Sequence, residues 1–349
     1  MRNPKISVCI PAYNRAALLP SLLDSILSQD YADFEVVIAE NCSPEREVIR
    51  AVASDYAARH PGRLSYHENT ANLGYDGNLR RLFELARGEY VLFMGNDDLM
   101  CPGALDKVAA AIGRYPDIGV LLRSYAAFDG TPDNVVQTFR YFDRELFFPA
   151  GADSIATIFR RSVVIPGMVI HREAALHCAS DQFDGTLLYQ LYIVAEIVAE
   201  KNAVYLPEVT VLYRNGGTPD FGNSAAERGK FEPKLQTPAS SLHFVKGMLA
   251  IARHVGKARS LPIYSPILRD LANYSYPLLA IQAGQSLPVF MGYGLRLALM
   301  GFWRSPLFWS YWLSIQIFGV KRMDGLIKWI KRRLGRTPRI GKIYEGAKK

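Results

Sequence analysis

Short apolar runs alternate with segments of helical periodicity throughout residues 5–94. The apolar runs, which are typical of strands buried in a sheet, are at 5–10, 34–39 and 90–94, and residues 63–67 are predicted as a further short strand. Between the first two runs, leucine and isoleucine recur from Leu18 to Leu27 at the spacing of a buried helix face. Strands joined by helices pair in parallel through right-handed crossovers. The alternation therefore predicts an α/β fold with a doubly wound, mainly parallel sheet.

The regular order weakens after residue 95. Further strands are predicted at 119–125, 166–171 and 203–213, and further helices at 105–115 and 187–199. Residues 126–160 are rich in aromatic side chains without a clear period, which favours an irregular loop wall, and the glycines of 216–229 predict a mobile stretch. The predicted organisation is a sheet domain at 1–235, a helical, amphipathic region at 236–335 and a basic tail at 336–349.

The composition describes a folded globular protein. Of 349 residues, 49% are hydrophobic and 21% charged, which suits one large α/β domain with an appendage, or two domains. The net charge of +8 comes from the end of the chain, since residues 321–349 hold 11 Lys and Arg against Asp324 and Glu345. The remainder has a net charge of −1, so a basic partner surface is expected only near the C-terminus.

The cysteines and the N-terminus indicate the compartment. Cys9, Cys42, Cys101 and Cys178 lie far apart, without the paired spacing of zinc or redox sites. Residues 1–5 run directly into the first predicted strand, so we expect no secretory signal before the fold. Both observations predict a reducing, cytoplasmic location.

Two apolar segments near the C-terminus, 287–303 and 306–320, are shorter than the ~20 residues that a membrane-spanning helix needs. After them, Ile327, Trp329 and Ile330 alternate with lysine and arginine, a pattern of helices that lie in a membrane interface. The alternative is a packed helical subdomain with a solvated basic tail. Nucleic acid is not expected as a partner, because nothing in the core resembles a base-reading motif.

Polar residues follow successive predicted strands at the carboxyl ends, where ligands bind in open α/β sheets. They are Pro11-Ala12-Tyr13-Asn14-Arg15, Glu40-Asn41, Asn72-Leu73-Gly74 with Asn78, and Asn96-Asp97-Asp98. Adjacent carboxylates such as Asp97 and Asp98 repel each other unless a cation or a donor lies between them. A divalent ion held by carboxylates and ligand phosphates fits this arrangement. The alternative is that Asp98 caps the helix that follows Pro102.

These motifs together resemble the family 2 glycosyltransferases of the GT-A (Rossmann-like) fold, which are inverting and use nucleotide-sugar donors. The resemblance is carried by residues 7–15, by Gly88-Glu89-Tyr90 and by Asp97-Asp98. It covers 5–125 well and 160–215 loosely. Residues 184–190 are most similar to the branch that contains abequosyltransferases and related O-antigen sugar transferases.

The resemblance implies a role for each of these loops. The loop from Pro11 through Ala12 and Tyr13 to Arg15 would hold the nucleotide. Glu40 and Asn41 would meet the base or ribose, although the family usually has two aspartates there. Asn72, with Asn78 after it, would lie near the base. Alternatively, Asn72 caps a helix.

At the central turn, Asn96-Asp97-Asp98 replaces the Asp-x-Asp motif of the family. By resemblance, Asp98 binds Mg²⁺ or Mn²⁺ that bridges the donor diphosphate, and Asp97 contacts the ribose or the water shell of the ion. Asn96 lacks the first carboxylate of the motif. A cation is expected because the departing nucleoside diphosphate accumulates negative charge.

An inverting transferase also needs a carboxylate that deprotonates the acceptor hydroxyl. No residue matches the family's base cleanly. Asp184 is the first choice and Asp181 the second, with helix capping as the alternative for both. Arg214 lies in a stretch that resembles a Tyr-Arg-x-His motif without the histidine, so it would contact phosphate or serve as a salt-bridge partner.

We therefore expect a cytoplasmic, peripherally membrane-bound, inverting glycosyltransferase. It would move a sugar from a nucleoside diphosphate donor to a lipid-linked saccharide or similar acceptor in surface polysaccharide assembly. The main alternative is a catalytically silent relative that acts as a nucleotide-sugar sensor or assembly subunit. A weaker alternative is a nucleotidyltransferase, which would need a glycine-rich phosphate loop after the first strand.

Overall fold

The computed structural model describes residues 3–217 and 220–333. The strands are β1 (Ile6–Ala12), β2 (Phe34–Glu40), β3 (Leu64–Glu68), β4 (Tyr90–Phe93), β5 (Leu99–Met100), β6 (Ile118–Phe128), β7 (Val135–Phe139), β8 (Leu146–Phe148), β9 (Val169–His171) and β10 (Asn202–Arg214). The helices are α1 (Leu19–Leu27), α2 (Arg46–Arg59), α3 (Gly74–Leu85), α4 (Ala104–Arg114), α5 (Ala152–Ile158), α6 (Arg172–His177), α7 (Tyr189–Val198), α8 (Pro238–Ala258), α9 (Tyr264–Asn273), α10 (Tyr276–Gln282), α11 (Leu287–Leu299) and α12 (Pro306–Arg333). The predicted basic tail at 336–349 lies outside the described residues.

The strands form one ten-stranded sheet with the central order β3-β2-β1-β4-β9-β6-β10-β5. The first four strands pair in parallel, as the strand–helix alternation predicts. Beyond β4 the sheet is mixed, because β9 is antiparallel to both β4 and β6, whereas β10 runs parallel to β6. The predicted α/β fold class with a C-terminal helical region is confirmed.

Residues 126–160, predicted to be irregular, contain ordered elements. β7 pairs with the end of β6, β8 pairs with β10, and α5 follows. The aromatic side chains explain this order, since the rings of Tyr125 and Phe139 stack with centroids 4.5 Å apart across the β6–β7 pair. The prediction of an irregular wall was therefore wrong for most of this segment.

Apolar side chains pack on both faces of the sheet, as a doubly wound fold requires. One cluster includes Leu22 of α1, Ile49 of α2 and Leu105 of α4. The other includes Cys9 of β1, Phe93 of β4 and Trp312 of α12. The C-terminal helices thus pack onto the same face of the sheet as α3 and α7. The predicted boundary at 235/236 stays a prediction, and one hydrophobic core crosses it.

The two predicted C-terminal helices are present as α11 and α12. α12 is broken at Gly319, whose φ of 74° and ψ of 160° are not helical and are readily adopted by glycine. Among the described residues, no helix combines the length and apolar character that crossing a bilayer requires.

Candidate active site

A cavity of about 310 Å³ opens where β1, β2 and β4 end, and residues 163–166, Gly217 and residues between 220 and 227 form its other walls. Nine of the predicted site residues line this cavity: Pro11, Tyr13, Arg15, Asn41, Asn72, Asn78, Asn96, Asp97 and Asp98. The five others, Ala12, Glu40, Asp181, Asp184 and Arg214, do not line it. Most of the predicted residues are therefore brought together, as expected for loops at one edge of a parallel sheet.

Asn96 fixes the loop that follows β1. Its side-chain Nδ2 donates to the carbonyl oxygens of Asn14 at 2.9 Å and Tyr13 at 3.3 Å. The loop needs this support because Asn14 and Arg15 both have positive φ, 54° and 61°, which non-glycine residues seldom adopt. An aspartate at position 96 would bring a carboxylate against two carbonyl oxygens. The amide is therefore the side chain that this turn accepts.

Asn96→Asp is expected to destabilise the protein by about 1–3 kcal/mol, although it restores an Asp-x-Asp motif. The physical reason is the loss of two hydrogen bonds and the repulsion that replaces them. Chemical denaturation measures the free energy of unfolding. The matched control is Asn134→Asp, since Asn134 also donates to a backbone carbonyl, that of Asp129, but on an exposed loop. An Asn96→Asp variant at least as stable as the wild type would contradict this account.

Asp97 and Asp98 are both buried at the cavity. Burial and the neighbouring Asp97 carboxylate raise the pKa of Asp98 to about 8. Burial also raises the pKa of Asp97, against the opposing effect of Arg15, whose Nη1 lies 2.5 Å from Asp97 Oδ2. Two carboxylates that are costly to ionise thus face one cavity.

Asp98 does not cap a helix, so that alternative is wrong. α4 begins at Ala104 after Gly103, and Asp98 Oδ1 instead accepts a hydrogen bond from the backbone N–H of Arg214 at 3.0 Å. Arg214 Nε donates to the carbonyl oxygen of Asp97 at 3.0 Å, and its guanidinium lies over the ring of Phe128. The two hydrogen bonds from Arg214 therefore fix the Asp97–Asp98 turn. They give no support to the predicted contact of Arg214 with phosphate.

The carboxylates of Asp97 and Asp98 fit a divalent cation, since added positive charge would stabilise their ionised forms. Within residues 3–217 and 220–333, no group of three or more His, Cys, Asp or Glu side chains is arranged to hold a metal ion. Mg²⁺ is commonly bound by one or two carboxylates together with substrate phosphates and water. Asp98 and Asp97 are thus the residues that could hold such an ion beside a bound diphosphate.

Asn41 lines the cavity, and its side-chain amide is fully hydrogen-bonded. Its Nδ2 donates to Asn72 Oδ1 and the Gly74 carbonyl, and its Oδ1 accepts from Asn69 Nδ2 and the Leu73 N–H, all at 3.0–3.1 Å. These four bonds use the whole hydrogen-bonding capacity of an amide. Asn41 orders the turn before α3, and its predicted contact with the base has no donor or acceptor left.

Asn72 and Tyr13 also line the cavity. Asn72 Oδ1 accepts from the Gly74 N–H at 2.9 Å, whereas the N-cap position of α3 is Leu73. Burial and the nearby Asp220 raise the pKa of Tyr13, and a hydrogen bond with Asn72 opposes this shift. Asn72 thus stiffens the turn at the start of α3 without occupying its cap position.

Glu40 is engaged within its own turn. Its carboxylate accepts from the backbone N–H groups of Cys42 at 3.0 Å and Ser43 at 2.7 Å and from Arg46 Nε at 2.7 Å. Cys42 has a φ of 56°, so this turn depends on the carboxylate. The predicted contact of Glu40 with the donor finds no support here. Ala12 is buried within β1 and contributes only backbone.

Asp184, the first choice for the base, forms a bidentate ion pair with Arg80 of α3, with N–O distances of 2.7 and 2.8 Å. Asp181 is exposed at the start of the same turn. Neither side chain caps α7, whose N-cap position is Leu188. Neither the Asp184 nor the Asp181 carboxylate lies in the cavity wall, so the assignment of the base to either residue stays a prediction.

The cap of α7 comes from Asp76 of α3, which sequence reasoning missed. Asp76 Oδ2 accepts from the N–H groups of Gly185, Thr186 and Leu187 at 2.9–3.1 Å, and Oδ1 accepts from Tyr189 N–H at 2.8 Å. This contact joins elements more than 100 residues apart. No local pattern could have indicated it.

Residues 220–227, called the covering segment below, were predicted only as part of a mobile stretch. Asp220 Oδ2 accepts from Asn14 Nδ2 at 2.7 Å, and the Glu227 carboxylate accepts from the N–H groups of Tyr75 at 2.7 Å and Gly222 at 2.9 Å. Asp220 and Glu227 both line the cavity. Two carboxylates therefore hold the covering segment against the loop that follows β1 and the first turn of α3.

The sequence matches the family model described as "Glycosyl transferase family 2" over residues 7–175. A "PGL/p-HBAD biosynthesis glycosyltransferase" of Mycobacterium bovis is 37% identical over 116 residues, which are 33% of this chain and 44% of that protein. The "Putative glycosyltransferase EpsE" of Bacillus subtilis is 29% identical over 127 residues, 36% of this chain and 45% of that protein. The chain thus spans less than half the length of these relatives.

Solved structures share the fold at low sequence identity. S. aureus TarS 1–349 in complex with UDP-GlcNAc superposes with a TM-score of 0.56 at 17% identity, covering 88% of this chain and 89% of that one. The mannosyltransferase PcManGT from Pyrobaculum calidifontis, in complex with GDP-Man and Mn²⁺, gives 0.52 at 18% identity, covering 91% and 87%. At these identities the likeness establishes the fold.

Proposed function

We propose, from the premise that residues 7–175 of this chain belong to glycosyl transferase family 2, that the protein transfers a sugar from a nucleoside diphosphate sugar to an acceptor hydroxyl with inversion. The observation that carries the proposal is the pair Asp97–Asp98, buried in a cavity at the carboxyl ends of the parallel strands. Two proteins of the same fold support it, since TarS forms a complex with UDP-GlcNAc and PcManGT forms one with GDP-Man.

Asp98, with Asp97 beside it, would hold Mg²⁺ or Mn²⁺, whose positive charge stabilises the diphosphate as it leaves. This chain's own residues prepare the site. Arg15 pairs with Asp97 in the free protein, so a bound diphosphate would compete with that carboxylate for the guanidinium. Tyr13 and Asn72, which line the same cavity, would contact the nucleoside. Arg214 keeps the two aspartates facing the cavity.

The base is reassigned within the proposal. Asp97 and Asp98 serve the donor, and Glu227 is engaged by two backbone N–H groups. Among the described residues, Asp220 is the remaining carboxylate that lines the cavity, and the donors to its carboxylate there are the side chains of Asn14 and Asn223. A carboxylate has about four lone-pair positions, so Asp220 can still accept the proton of an acceptor hydroxyl.

Asp184→Asn is expected to change turnover by less than about tenfold and to cost about 1 kcal/mol of stability, since the carboxylate holds Arg80 rather than lining the cavity. Asp220→Asn is the comparison variant and should lose more turnover at a similar cost in stability, because an amide keeps only one of the two acceptor oxygens that Asn14 and Asn223 use. Steady-state kinetics and chemical denaturation measure both variants. A loss of about 10²-fold or more in Asp184→Asn alone would return the base to Asp184.

The acceptor in the proposal is a lipid-linked saccharide, met at the inner face of the cytoplasmic membrane during assembly of a surface polysaccharide such as O-antigen. The amphipathic, basic C-terminal region supports this choice. So does the mycobacterial relative, whose name refers to PGL/p-HBAD biosynthesis.

The test is release of nucleoside diphosphate from a panel of nucleotide sugars, with and without Mg²⁺ or Mn²⁺ and with membrane lipid extract as the acceptor. Transfer from one donor class with a matched product of inverted configuration supports the proposal. Binding of a donor without hydrolysis or transfer under every condition would favour the silent sensor or assembly subunit instead.

A further inference from the structure

Exposed large apolar side chains are concentrated near the end of the described chain. Of 19 such side chains among the described residues, 12 lie within residues 287–329. Scattered exposed leucines are ordinary on a protein surface, whereas a dense group marks an interaction site. The group used below, called the C-terminal apolar surface, consists of Leu295, Leu299, Trp303, Leu307, Leu313 and Ile317.

The helices that carry this surface have two apolar sides. On α11, Tyr293 and Leu297 are buried in the core, whereas Leu295 and Leu299, one turn apart, are exposed, Leu299 to 79%. A helix whose polar side faces water needs only one apolar side. The second apolar side of α11 therefore indicates a partner that covers it.

α12 repeats this arrangement before its break at Gly319. Trp312 and Ile315 are buried, whereas Leu313 and Ile317 are exposed, Ile317 to 70%. The turn between the two helices adds Trp303, which is exposed and has the guanidinium of Arg304 5.3 Å from its ring centroid. A tryptophan beside an arginine is typical of the boundary between apolar and charged layers of a membrane interface.

The charge of this region selects among possible partners. Residues 287–333 hold eight Lys and Arg and one acidic residue, Asp324, a net charge of +7. Asp324 accepts a hydrogen bond from the Tyr276 hydroxyl, so it is engaged within the fold. Arg296, Arg304 and Lys321 are exposed along the same stretch. A second copy of this chain would bring like charges together, whereas an anionic bilayer attracts them.

We propose that the C-terminal apolar surface inserts into the interfacial layer of a bilayer with anionic headgroups, with its basic residues against those headgroups. This rests on the proposed function only in that a lipid-linked acceptor would be met at such a bilayer. The sequence pattern pointed to residues 327–333, whereas the exposed side chains place the contact earlier, on α11 and the first part of α12. Basic residues add attraction, and the apolar side chains supply insertion.

The chain offers a natural probe, because all four tryptophans lie within this region, at positions 303, 309, 312 and 329. The full chain is mixed with vesicles of phosphatidylcholine alone or with phosphatidylglycerol, and flotation and tryptophan emission are recorded. We expect co-flotation with the anionic vesicles, a blue shift of the emission and quenching by brominated acyl chains. Nucleoside diphosphate binding, measured by calorimetry without vesicles, reports separately on the proposed function.

Leu299→Glu combined with Ile317→Glu tests the surface itself, since both side chains are exposed and their replacement leaves the core intact. The vesicle affinity should fall by about tenfold or more, with nucleotide binding unchanged. The matched control is Val48→Glu on α2, which is 56% exposed and lies outside the surface. It should bind vesicles like the wild type.

Three results would overturn the inference. The first is unchanged flotation of the double variant. The second is flotation without bromine quenching that high salt abolishes, because charge alone would then account for binding. The third is that the wild type does not bind vesicles but forms a concentration-dependent dimer, detected by light scattering, and that the double substitution abolishes this dimer. If the wild type floats with anionic vesicles but binds no nucleoside diphosphate, the proposed function alone is contradicted.

Discussion

Asp98→Asn is expected to lower donor turnover by about 10²–10³-fold and at the same time to stabilise the free protein. The turnover falls because the substitution removes the charge that would hold a cation against the leaving diphosphate. The stability rises because Asp98 is only 1% exposed, and its pKa is raised to about 8 by burial and by Asp97. An amide can still accept the hydrogen bond from the Arg214 N–H.

The sign of the stability effect follows from proton binding. The native state binds the Asp98 proton more tightly than the unfolded chain, whose aspartates have a pKa of about 3.9. The contribution of Asp98 to stability is therefore fully present below about pH 4 and is lost as the pH rises towards 8. At pH 8 the variant should exceed the wild type by about 1–3 kcal/mol in free energy of unfolding.

Chemical denaturation at several pH values, alongside kinetics, measures both effects. Asp106→Asn, at an exposed position in the first turn of α4, is the control and should leave both quantities within experimental scatter. A variant that is less stable than the wild type at pH 8 would show that hydrogen bonds outweigh burial at Asp98. Turnover equal to the wild type would remove Asp98 from the site.

Asp76→Ala is expected to destabilise the protein by about 3–5 kcal/mol. The substitution leaves four backbone N–H groups without an acceptor in the interior, at Gly185, Thr186, Leu187 and Tyr189. Leu187 also has a φ of 64°, which the hydrogen bond to Asp76 helps to maintain. The N-terminus of α7 should then fray, and amide hydrogen exchange across 185–189 would detect this.

The control for this prediction is Asp181→Ala on the same turn, where the side chain is exposed and a change within about 0.5 kcal/mol is expected. Burial raises the pKa of Asp76 to about 6, so the native state holds this proton more tightly than the unfolded chain. The advantage of the wild type over Asp76→Ala should therefore narrow as the pH rises from about 4 to about 6. A widening difference would contradict this account.

The edge of the sheet that carries the cavity could be predicted from local sequence. β1, β2 and β4 have apolar runs, and helical periods separate the first four strands, so their parallel order follows from connectivity. The loops after β1 and β4 then converge by geometry. The second half of the sheet was harder. A strand was predicted at 166–171, where β9 lies, but β9 is antiparallel to β4 and β6, which are distant in sequence. Such pairing is set by tertiary contacts and has no local signal.

The roles of individual polar residues were less predictable than their positions. Glu40 ends β2 and Asn41 follows it, yet their hydrogen bonds are used by the turn itself. Asp184 was the first choice for the base, but its partner Arg80 lies 104 positions away. Asp76 accepts from backbone N–H groups more than 100 positions away. In each case the partner is set by tertiary packing, which a single sequence does not contain.

The most direct test of the account is calorimetric binding of UDP, CDP, GDP and dTDP, with and without Mn²⁺ or Mg²⁺, to the wild type and Asp98→Ala. We expect one preferred nucleotide, bound in a manner that requires both the metal ion and Asp98. A nucleotide affinity that is the same with and without the metal ion would mean that the aspartate pair does not hold a cation. If no nucleotide binds to the folded wild-type protein, the cavity is not a donor site and the proposed transferase is wrong.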